Sequence, residues 1–316
     1  MSLVEGEMAG AEATITWPKK TREHQIAVWD SARLNDFKFR DDDIMIATWS
    51  KSGTTLVQQI VAQLVFKGDP EVYGQALSPW IEMRIIPKEQ IYAIAEAQTH
   101  RRFIKTHSLL EAIPFKPEMK YIYIGRDARD VVWSMYHHQS IFKPQAYEAF
   151  NSAPGLVGPP LTPAGCDVRT YYHHFLDEGY PRGFSPDNVF WPHVQGWWNA
   201  RNLPNVLLVH FANLRSDPQG EMRRIAEFLD IDVEESLWPA IEKNCSIDHM
   251  RDLASKAVLL EQIFEGGGRA FINKGTNGRW KDVLTPEEIA KCDDVAADNL
   301  TPDCAHWLKT GEMRDA

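Results

Sequence analysis

Four short apolar runs divide the chain, and each is bounded by polar or turn-forming residues. They cover residues 44–49, 103–105, 121–124 and 206–209; the second lies within "RFIKTH" and the third within "KYIYIG". Short apolar runs between turn signals are typical of strands that are buried on both faces of a sheet. The pattern therefore predicts four buried strands.

Helical patterns follow three of these runs. After the first run, apolar residues recur at helical spacing from Leu56 to Val65, while glutamines fill the opposite face. The third run leads into "ARDVVWSMYHH", and the fourth leads into a segment where Asp217 is an N-cap candidate and Pro218 the first helical residue. This alternation predicts an α/β fold, a mostly parallel sheet flanked by helices with right-handed crossovers.

Two segments lack these periodicities. Residues 142–187 are rich in proline and glycine with scattered aromatic residues, so we interpret them as an irregular lid over a binding site, outside the core helices and strands. Residues 264–280 combine glycines with a lysine, which fits either backbone wrapped around an anion or a flexible surface loop. The length of 316 residues and the hydrophobic content of 44% fit a single domain, 1–316.

Charge and cysteine content exclude several classes of protein. The formal net charge of −10 argues against nucleic acid or anionic membranes as partners, since either would need a positive surface. The four cysteines are widely spaced and form no C-x-x-C pair, so buried free thiols fit better than a zinc site or disulfides. Residues 1–17 lack the features of a signal peptide, and no apolar run reaches membrane-spanning length, which predicts a cytoplasmic protein.

Cationic side chains follow the first three predicted strands. Lys51 comes after the first, Lys105 and His107 end the second, and Arg126 follows the third. Any one of them alone fits a solvated loop, but parallel strands bring their carboxyl ends to one edge, where ligands bind. The loop "KSGTT", residues 51–55, joins a strand to a helix and so offers backbone N–H groups and a helix N-terminus. Together these features predict an anion site.

The order of residues in this loop argues against a Walker A nucleotide-binding site. A Walker A loop reads G-x-x-x-x-G-K-[ST], whereas here Lys51 precedes Gly53. Arg126 also stands at a strand end where a magnesium-dependent nucleotide hydrolase would need a carboxylate. Cations and helix N-terminal amides without a metal ligand fit a donor whose transferred group needs no metal.

Four blocks, in this order, resemble the cytosolic-type sulfotransferases that use 3′-phosphoadenosine 5′-phosphosulfate (PAPS), and the chain looks like a bacterial member. They are "WSKSGTTLVQQI", "FIKTHSLLEAIP", "YIYIGRDARDVVWSMYHH" and "FINKGTNGRW". With the intervening sequence they span residues 44–280, and the ordered set is far more specific than any single block.

The resemblance implies a P-loop-like fold and metal-independent, in-line transfer of a sulfuryl group from PAPS to a hydroxyl or amine of a small acceptor. Lys51 would stabilise charge on the bridging oxygen, Lys105 would hold sulfonate oxygens, and His107 would act as general base. Residues 51–55 would bind the 5′-phosphosulfate. The donor-binding set that it implies is Lys51, Ser52, Gly53, Thr54, Thr55, Arg126, Ser134, Phe211, Ile247, Asn273, Lys274 and Gly275.

The chain departs from the family pattern mostly around the nucleotide. Leu56 and Ile247 stand where a tryptophan and a phenylalanine are usual, which weakens adenine stacking. Phe211 replaces a tyrosine, and Asn273 replaces an arginine, so one cation at the 3′-phosphate is lost. We expect PAPS to be used still, with weaker affinity than in a relative that keeps the full set.

Two other classes fit part of the pattern. A nucleotide-dependent phosphotransferase would share the fold and the anion loop, but it would need magnesium, and the missing G-K-[ST] order speaks against it. A non-catalytic binding protein with a decayed donor site would fit the losses at Leu56, Ile247 and Asn273. His107 argues against that class, because a protein that only binds has no use for a base beside a sulfonate site.

The acceptor pocket should be formed by the lid, by the segment around Trp80 and by residues near Phe37, which predicts an apolar hydroxyl compound. The adjacent pair His137 and His138 lacks the i, i+4 spacing of a helical metal site, so no metal is expected. The dimer motif of the family is only partly present near the C-terminus, which leaves a homodimer open.

Overall fold

The computed structural model describes residues 15–314 of this protein. Four parallel strands form its sheet, in the order β2-β1-β3-β4. Their bounds are β1 (Ile44–Thr48), β2 (Phe103–Thr106), β3 (Lys120–Gly125) and β4 (Val206–His210). All four predicted strands and their parallel arrangement are confirmed. No strand begins or ends more than one residue from its predicted bound.

Helices surround the sheet. They are α1 (Thr54–Val65), α2 (Gly74–Leu77), α3 (Lys88–Glu96), α4 (Ala128–Ser140), α5 (Pro144–Ser152), α6 (Val168–Glu178), α7 (Trp191–Asn199), α8 (Phe211–Ser216), α9 (Pro218–Phe228), α10 (Trp238–Asn244), α11 (Ile247–Ala254), α12 (Val258–Ile263), α13 (Gly267–Phe271), α14 (Pro286–Asn299) and α15 (Pro302–Thr310). Short 3-10 helices cover Ser31–Leu34, Leu110–Ala112 and Glu235–Leu237. The Asp217 side chain accepts from Gly220 N at 2.9 Å, so the predicted cap of α9 is confirmed.

Successive side chains of a strand point to opposite faces of the sheet, so the core is divided into two clusters, one on each face. Ile44 and Ile46 of β1 pack on the face that is covered by α1, α9 and α10, whereas Met45 and Ala47 belong to the larger cluster on the opposite face. Since every residue of β1 is buried, the strand reads as a continuous apolar run. The sheet is therefore covered on both faces, and only its ends are open to ligands.

The prediction that residues 142–187 lie outside the core helices and strands is wrong. The segment contains α5 and α6, and α6 packs on α4 with Tyr171 and Phe175 buried. The helix begins where the Asp167 side chain accepts from Arg169 N at 2.9 Å and from Thr170 N at 3.1 Å. The surrounding prolines and glycines hid this pattern, and the irregular backbone is confined to residues 153–167 and 179–190.

Residues 264–280 contain one short helix, α13, and are otherwise irregular. Within residues 15–314 no helix is long and apolar enough to cross a bilayer. Most of residues 1–17, on which the expectation of no signal peptide rested, lie outside the described part of the chain. The cysteines are unbridged, with Cys245, Cys292 and Cys304 buried and Cys166 partly exposed.

A buried ion pair links β1 and β2 at their amino-terminal ends. Asp43 precedes β1, Arg102 precedes β2, and both side chains are 0% exposed. Arg102 Nε donates to Asp43 Oδ1 at 2.7 Å, and Asp43 Oδ2 also accepts from Arg40 N at 2.8 Å. The guanidinium lies 4.7 Å from the centroid of the Phe37 ring. Removal of the Asp43 carboxylate would leave the buried guanidinium with the half-exposed Glu96 carboxylate, at 3.7 Å from Arg102 Nη1, as its remaining charged partner.

We expect Asp43→Ala to lower the free energy of unfolding by about 3–5 kcal/mol, because it strands a buried guanidinium. Chemical denaturation followed by tryptophan fluorescence measures this loss. Glu235→Ala, which removes the exposed partner of Arg223, is the matched control and should leave the midpoint near that of the wild type. Equal midpoints for the two variants would contradict this account.

Candidate active site

A cleft of about 250 Å³ lies at the carboxyl edge of the sheet. Its lining includes almost every residue that the sequence marked for donor binding or catalysis. These are Lys51, Gly53, Thr54, Thr55, Lys105, His107, Arg126, Ser134, Phe211, Ile247, Asn273, Lys274 and Gly275. Ser52 is the exception, since it is 2% exposed and lies behind the lining. The structure thus brings together residues from segments that are more than 200 positions apart.

The loop after β1 has an unusual backbone. Lys51 has φ of 71°, in the left-handed region that residues with side chains seldom adopt, and Gly53 has φ of 126°. A Cβ on Gly53 would lie 2.8 Å from a ring carbon of Phe211, so glycine is required there on both counts. Helix α1 begins at Thr54, and the first N–H groups of a helix have no intrahelical acceptor. The loop therefore offers backbone donors next to the Lys51 side chain.

Arg126 links several segments that line the cleft. Its Nε donates to Asn277 Oδ1 at 3.0 Å, one terminal nitrogen donates to Lys51 O at 3.1 Å, and the other donates to Thr276 O at 3.0 Å. The guanidinium also lies over the Phe211 ring at 4.3 Å. A single cation thus contacts the loop after β1, the start of α8 and the glycine-rich loop, by which we mean residues 264–280.

Two lysines meet in this cleft with little negative charge around them. Burial, together with Arg126 and Lys105, lowers the pKa of Lys51 to about 7. Burial lowers the pKa of Lys105 to about 8, although the nearby Glu82 opposes the shift. The Lys105 ammonium lies 4.2 Å from the centroid of the Trp80 ring. An anionic ligand between these side chains would favour their charged forms.

His107 lies at the end of β2 and is 6% exposed. Its Nδ1 is 2.7 Å from Thr48 O, and because a carbonyl only accepts, Nδ1 carries the proton. Burial and the Lys105 charge hold the pKa of His107 well below 6.5. The Trp80 and Trp29 rings pack against the imidazole at 4.9 and 5.9 Å. His107 is therefore neutral near pH 7, and its Nε2 has a free lone pair.

Sequence reasoning missed several polar residues of the cleft. Arg215 and Arg279 add cations to the lining. No pattern near Arg215 marked it out, whereas Arg279 lies inside the block "FINKGTNGRW" but was not selected from it. Asp130 and His138 lie one helical turn on either side of Ser134 on α4, so the i, i+4 spacing could have found them. Asp130 Oδ1 accepts from Gly278 N at 2.7 Å and thereby fixes the glycine-rich loop.

Apolar side chains cover the rest of the cleft. Trp80 lines it as predicted, and the predicted lid contributes Phe142, Phe150 and Phe184. Of the N-terminal segment near Phe37 that was expected to contribute, Val28 and Trp29 line the cleft, whereas Phe37 itself belongs to the core under the Arg102 guanidinium. The other apolar lining residues include Met83, Met135, Leu260, Ile263, Phe264 and Phe271. Within residues 15–314 no three His, Cys, Asp or Glu side chains cluster in a way that could hold a metal ion.

Curated relatives match most of the chain. The glycolipid sulfotransferase of Mycobacterium bovis (strain BCG / Pasteur 1173P2) is 30% identical over 304 residues, which covers 89% of this chain and 92% of the relative. Human sulfotransferase 1C2 is 25% identical over 273 residues, which covers 84% of this chain and 85% of the relative.

Solved structures share the fold. Retinol dehydratase, crystallised with androsterone and the inactive cofactor PAP, superimposes with a TM-score of 0.67 at 20% identity, over 86% of this chain and 84% of that one. A mouse sulfotransferase complexed with PAP gives 0.65 at 23% identity, over 89% and 93% of the two chains. At this identity the likeness concerns the fold alone.

The model of the sulfotransferase domain family matches residues 41–303. This match covers the whole sheet and every cleft residue that sequence reasoning had selected. The chain therefore belongs to the sulfotransferase family, which confirms the predicted fold and the prediction of an enzyme that transfers sulfuryl groups from PAPS.

Proposed function

We propose that this enzyme transfers the sulfuryl group of PAPS to the hydroxyl of a small, uncharged, apolar acceptor, with His107 as the general base. The observation that carries the proposal is the neutral imidazole of His107 in the same cleft as the ammonium groups of Lys51 and Lys105. A base and an anion site are both needed for transfer to an alcohol, since a proton must leave as the sulfate ester forms.

At the donor end, the loop 51–55 and the first turn of α1 would hold the 5′-phosphosulfate through backbone N–H groups. Arg126, Ser134, Lys274 and Gly275 would hold the 3′-phosphate. The cation that is missing at Asn273 has substitutes in Arg215 and Arg279, which line the same cleft. This support for a dianionic group favours a working donor site over a decayed one.

Lys51 and Lys105 would act on the charge that develops during transfer. As the bond between sulfur and the bridging oxygen breaks, negative charge builds up on that oxygen, and the ammonium of Lys51 would stabilise it. Lys105 would hold the sulfonate oxygens. In the partly buried cleft these interactions are stronger than in water, because the local dielectric is lower.

His107 would take the acceptor proton at Nε2. Its Nδ1–H is held by Thr48 O, which fixes both the tautomer and the ring orientation. Among residues 15–314 no carboxylate bonds to this imidazole, and Lys105 disfavours its charged form, so the proton would leave to solvent once the product departs. Such a base remains deprotonated well below pH 6.5.

The lining of the cleft favours a neutral hydroxyl over a protonated amine. Among the described lining residues Asp130 is the one carboxylate, and it binds Gly278 at the donor end. Glu82 lies behind the lining, fully buried, and accepts from Thr106 Oγ1 at 2.6 Å. A cationic acceptor would therefore meet lysines and aromatic rings without a counter-ion.

The remaining predictions about partners rest on the sequence. A cytoplasmic location, a possible homodimer and the expectation of neither nucleic acid nor membrane as a partner belong to this proposal. The phosphotransferase alternative is withdrawn, because the family match covers the whole site.

The proposal is tested with radiolabelled PAPS, a panel of phenols and alcohols, and EDTA in every reaction. We expect label transfer to at least one acceptor in the presence of EDTA, and saturable binding of PAP by calorimetry. Failure to bind PAP at millimolar concentration would contradict the proposal and support the reading of a decayed donor site.

Replacement of the base is the second test. His107→Ala is expected to lower kcat by about 10²- to 10⁴-fold while PAP binding stays near the wild-type level, because the base acts on the acceptor. His107→Asn is the matched variant, since its amide can still donate to Thr48 O but offers no basic nitrogen. A His107→Asn enzyme with wild-type turnover would show that the proton leaves by another route.

Acceptor charge is the third test. We expect 2-phenylethanol to be used with a kcat/KM at least about tenfold above that of 2-phenylethylamine, because the ammonium would be buried without a partner. Aniline, which is neutral at the same pH, separates the effect of charge from that of the nitrogen nucleophile. Equal rates for the first two compounds would contradict an acceptor site that discriminates against cations.

A further inference from the structure

His138 lies beside the lysine that we assign to the donor. Its Nδ1 is 3.4 Å from Lys51 Nζ, and both side chains line the same cleft. The His138 ring is packed among aromatic rings, with centroids at 4.9 Å for Phe142 and Phe264. Lys51 Nζ also lies 4.8 Å from the centroid of the Phe271 ring. The ammonium thus has an imidazole and a π face as its partners.

The direction of the contact follows from charge. Below the pKa of Lys51 the side chain is an ammonium, which only donates, so in that state His138 Nδ1 is the acceptor and the imidazole is neutral. Burial and the charge of Lys51 hold the pKa of His138 well below 6.5, which agrees with that assignment. The charged groups that act on Lys51 itself are Arg126 and Lys105, and both repel it. His138 is therefore a polar neighbour that favours the charged lysine.

We propose that His138 is a positioning residue for Lys51: its neutral imidazole accepts a hydrogen bond from the ammonium and keeps the lysine charged and held in the cleft before the donor binds. The inference rests on the donor role proposed above for Lys51. His138 itself touches neither the donor nor the acceptor in this account, and it acts through the lysine.

The proposal predicts a change in pH dependence with a definite sign. A hydrogen bond to the ammonium stabilises the charged form, so its removal lowers the pKa of Lys51 further. Below both pKa values the lysine is charged in either protein, and the variant behaves like the wild type. Above them the variant has less charged lysine, and its kcat/KM for PAPS falls first.

Several other titratable or charged groups face this pair, and they are the same in wild type and variant. They are Lys105 and His107 near β2, Arg126 after β3 and His137 on α4. Lys274 and Arg279 line the same cleft and act on His137. Ionisation of PAPS is also common to both proteins. The ratio of the two pH profiles therefore isolates the contribution of His138.

Two substitutions separate the hydrogen bond from the packing. His138→Phe keeps an aromatic ring among Phe142 and Phe264 but has no acceptor, whereas His138→Asn keeps an acceptor near the position of Nδ1 and loses the ring. We expect His138→Phe to match the wild type at about pH 5, below both pKa values, and to lose about tenfold in kcat/KM for PAPS at about pH 8. His138→Asn should follow the wild-type profile, shifted at most by a factor that does not depend on pH.

A double-mutant cycle with Lys51→Met tests whether His138 acts through the lysine. In that background His138→Phe should cause no further change at any pH, because the partner is gone. A loss for His138→Phe that is the same at both pH values, or a full effect in the Lys51→Met background, would overturn the proposal.

An NMR titration of ligand-free protein labelled at the lysine side chains keeps the inference testable even if sulfuryl transfer fails. The Lys51 signal is assigned by its loss in Lys51→Met. His138→Phe should lower the titration midpoint of that signal, and His138→Asn should restore it. An unmoved midpoint would refute the hydrogen bond, whereas a shifted midpoint in a protein without transfer activity would count against the proposed function alone.

Discussion

Positive charge held in one partly buried cleft is the constraint on which this site depends. The parallel register places the ends of β1, β2 and β3 at one edge, so Lys51, Lys105 and Arg126 approach each other whether or not they attract. Burial lowers the pKa values of both lysines toward neutrality, and repulsion from Arg126 and Lys105 adds to the shift of Lys51. The protein tolerates this arrangement because the backbone of the sheet, stabilised elsewhere by packing, fixes it.

Each of these cations lies against an aromatic ring, which stabilises the positive charge without neutralising it. Phe211 lies under Arg126, Trp80 lies under Lys105, and Phe271 lies under Lys51. A ring face attracts a cation weakly and does not compete as a carboxylate would for an incoming anion. Carboxylates at contact distance would have formed closed ion pairs that a phosphosulfate must break. These contacts leave the cations of the cleft without a closed ion pair to a ring partner.

The strands and most of the cleft residues could be predicted from the sequence, because apolar runs and the cations that follow them are local patterns. It failed where tertiary context decides. Helix α6 was hidden because prolines and glycines on both sides masked the spacing of Tyr171 and Phe175. The N-terminal segment near Phe37 reaches the cleft through Val28 and Trp29, but Phe37 itself packs under the Arg102 guanidinium, a partner that is distant in sequence. Arg215 enters the cleft only through the packing of α8, which no local pattern predicts.

The face of α4 that lines the cleft connects the donor end to the reacting end. Asp130 holds the glycine-rich loop through Gly278, Ser134 lies one turn further on, and His138 contacts Lys51 after another turn. A helix transmits position along its axis because its hydrogen bonds make it stiff. Contacts made with the 3′-phosphate near Ser134 would therefore be felt at Lys51 through a rigid element. Under the proposed assignments, the helix would therefore link the residues at the 3′-phosphate to the lysine at the bond that breaks.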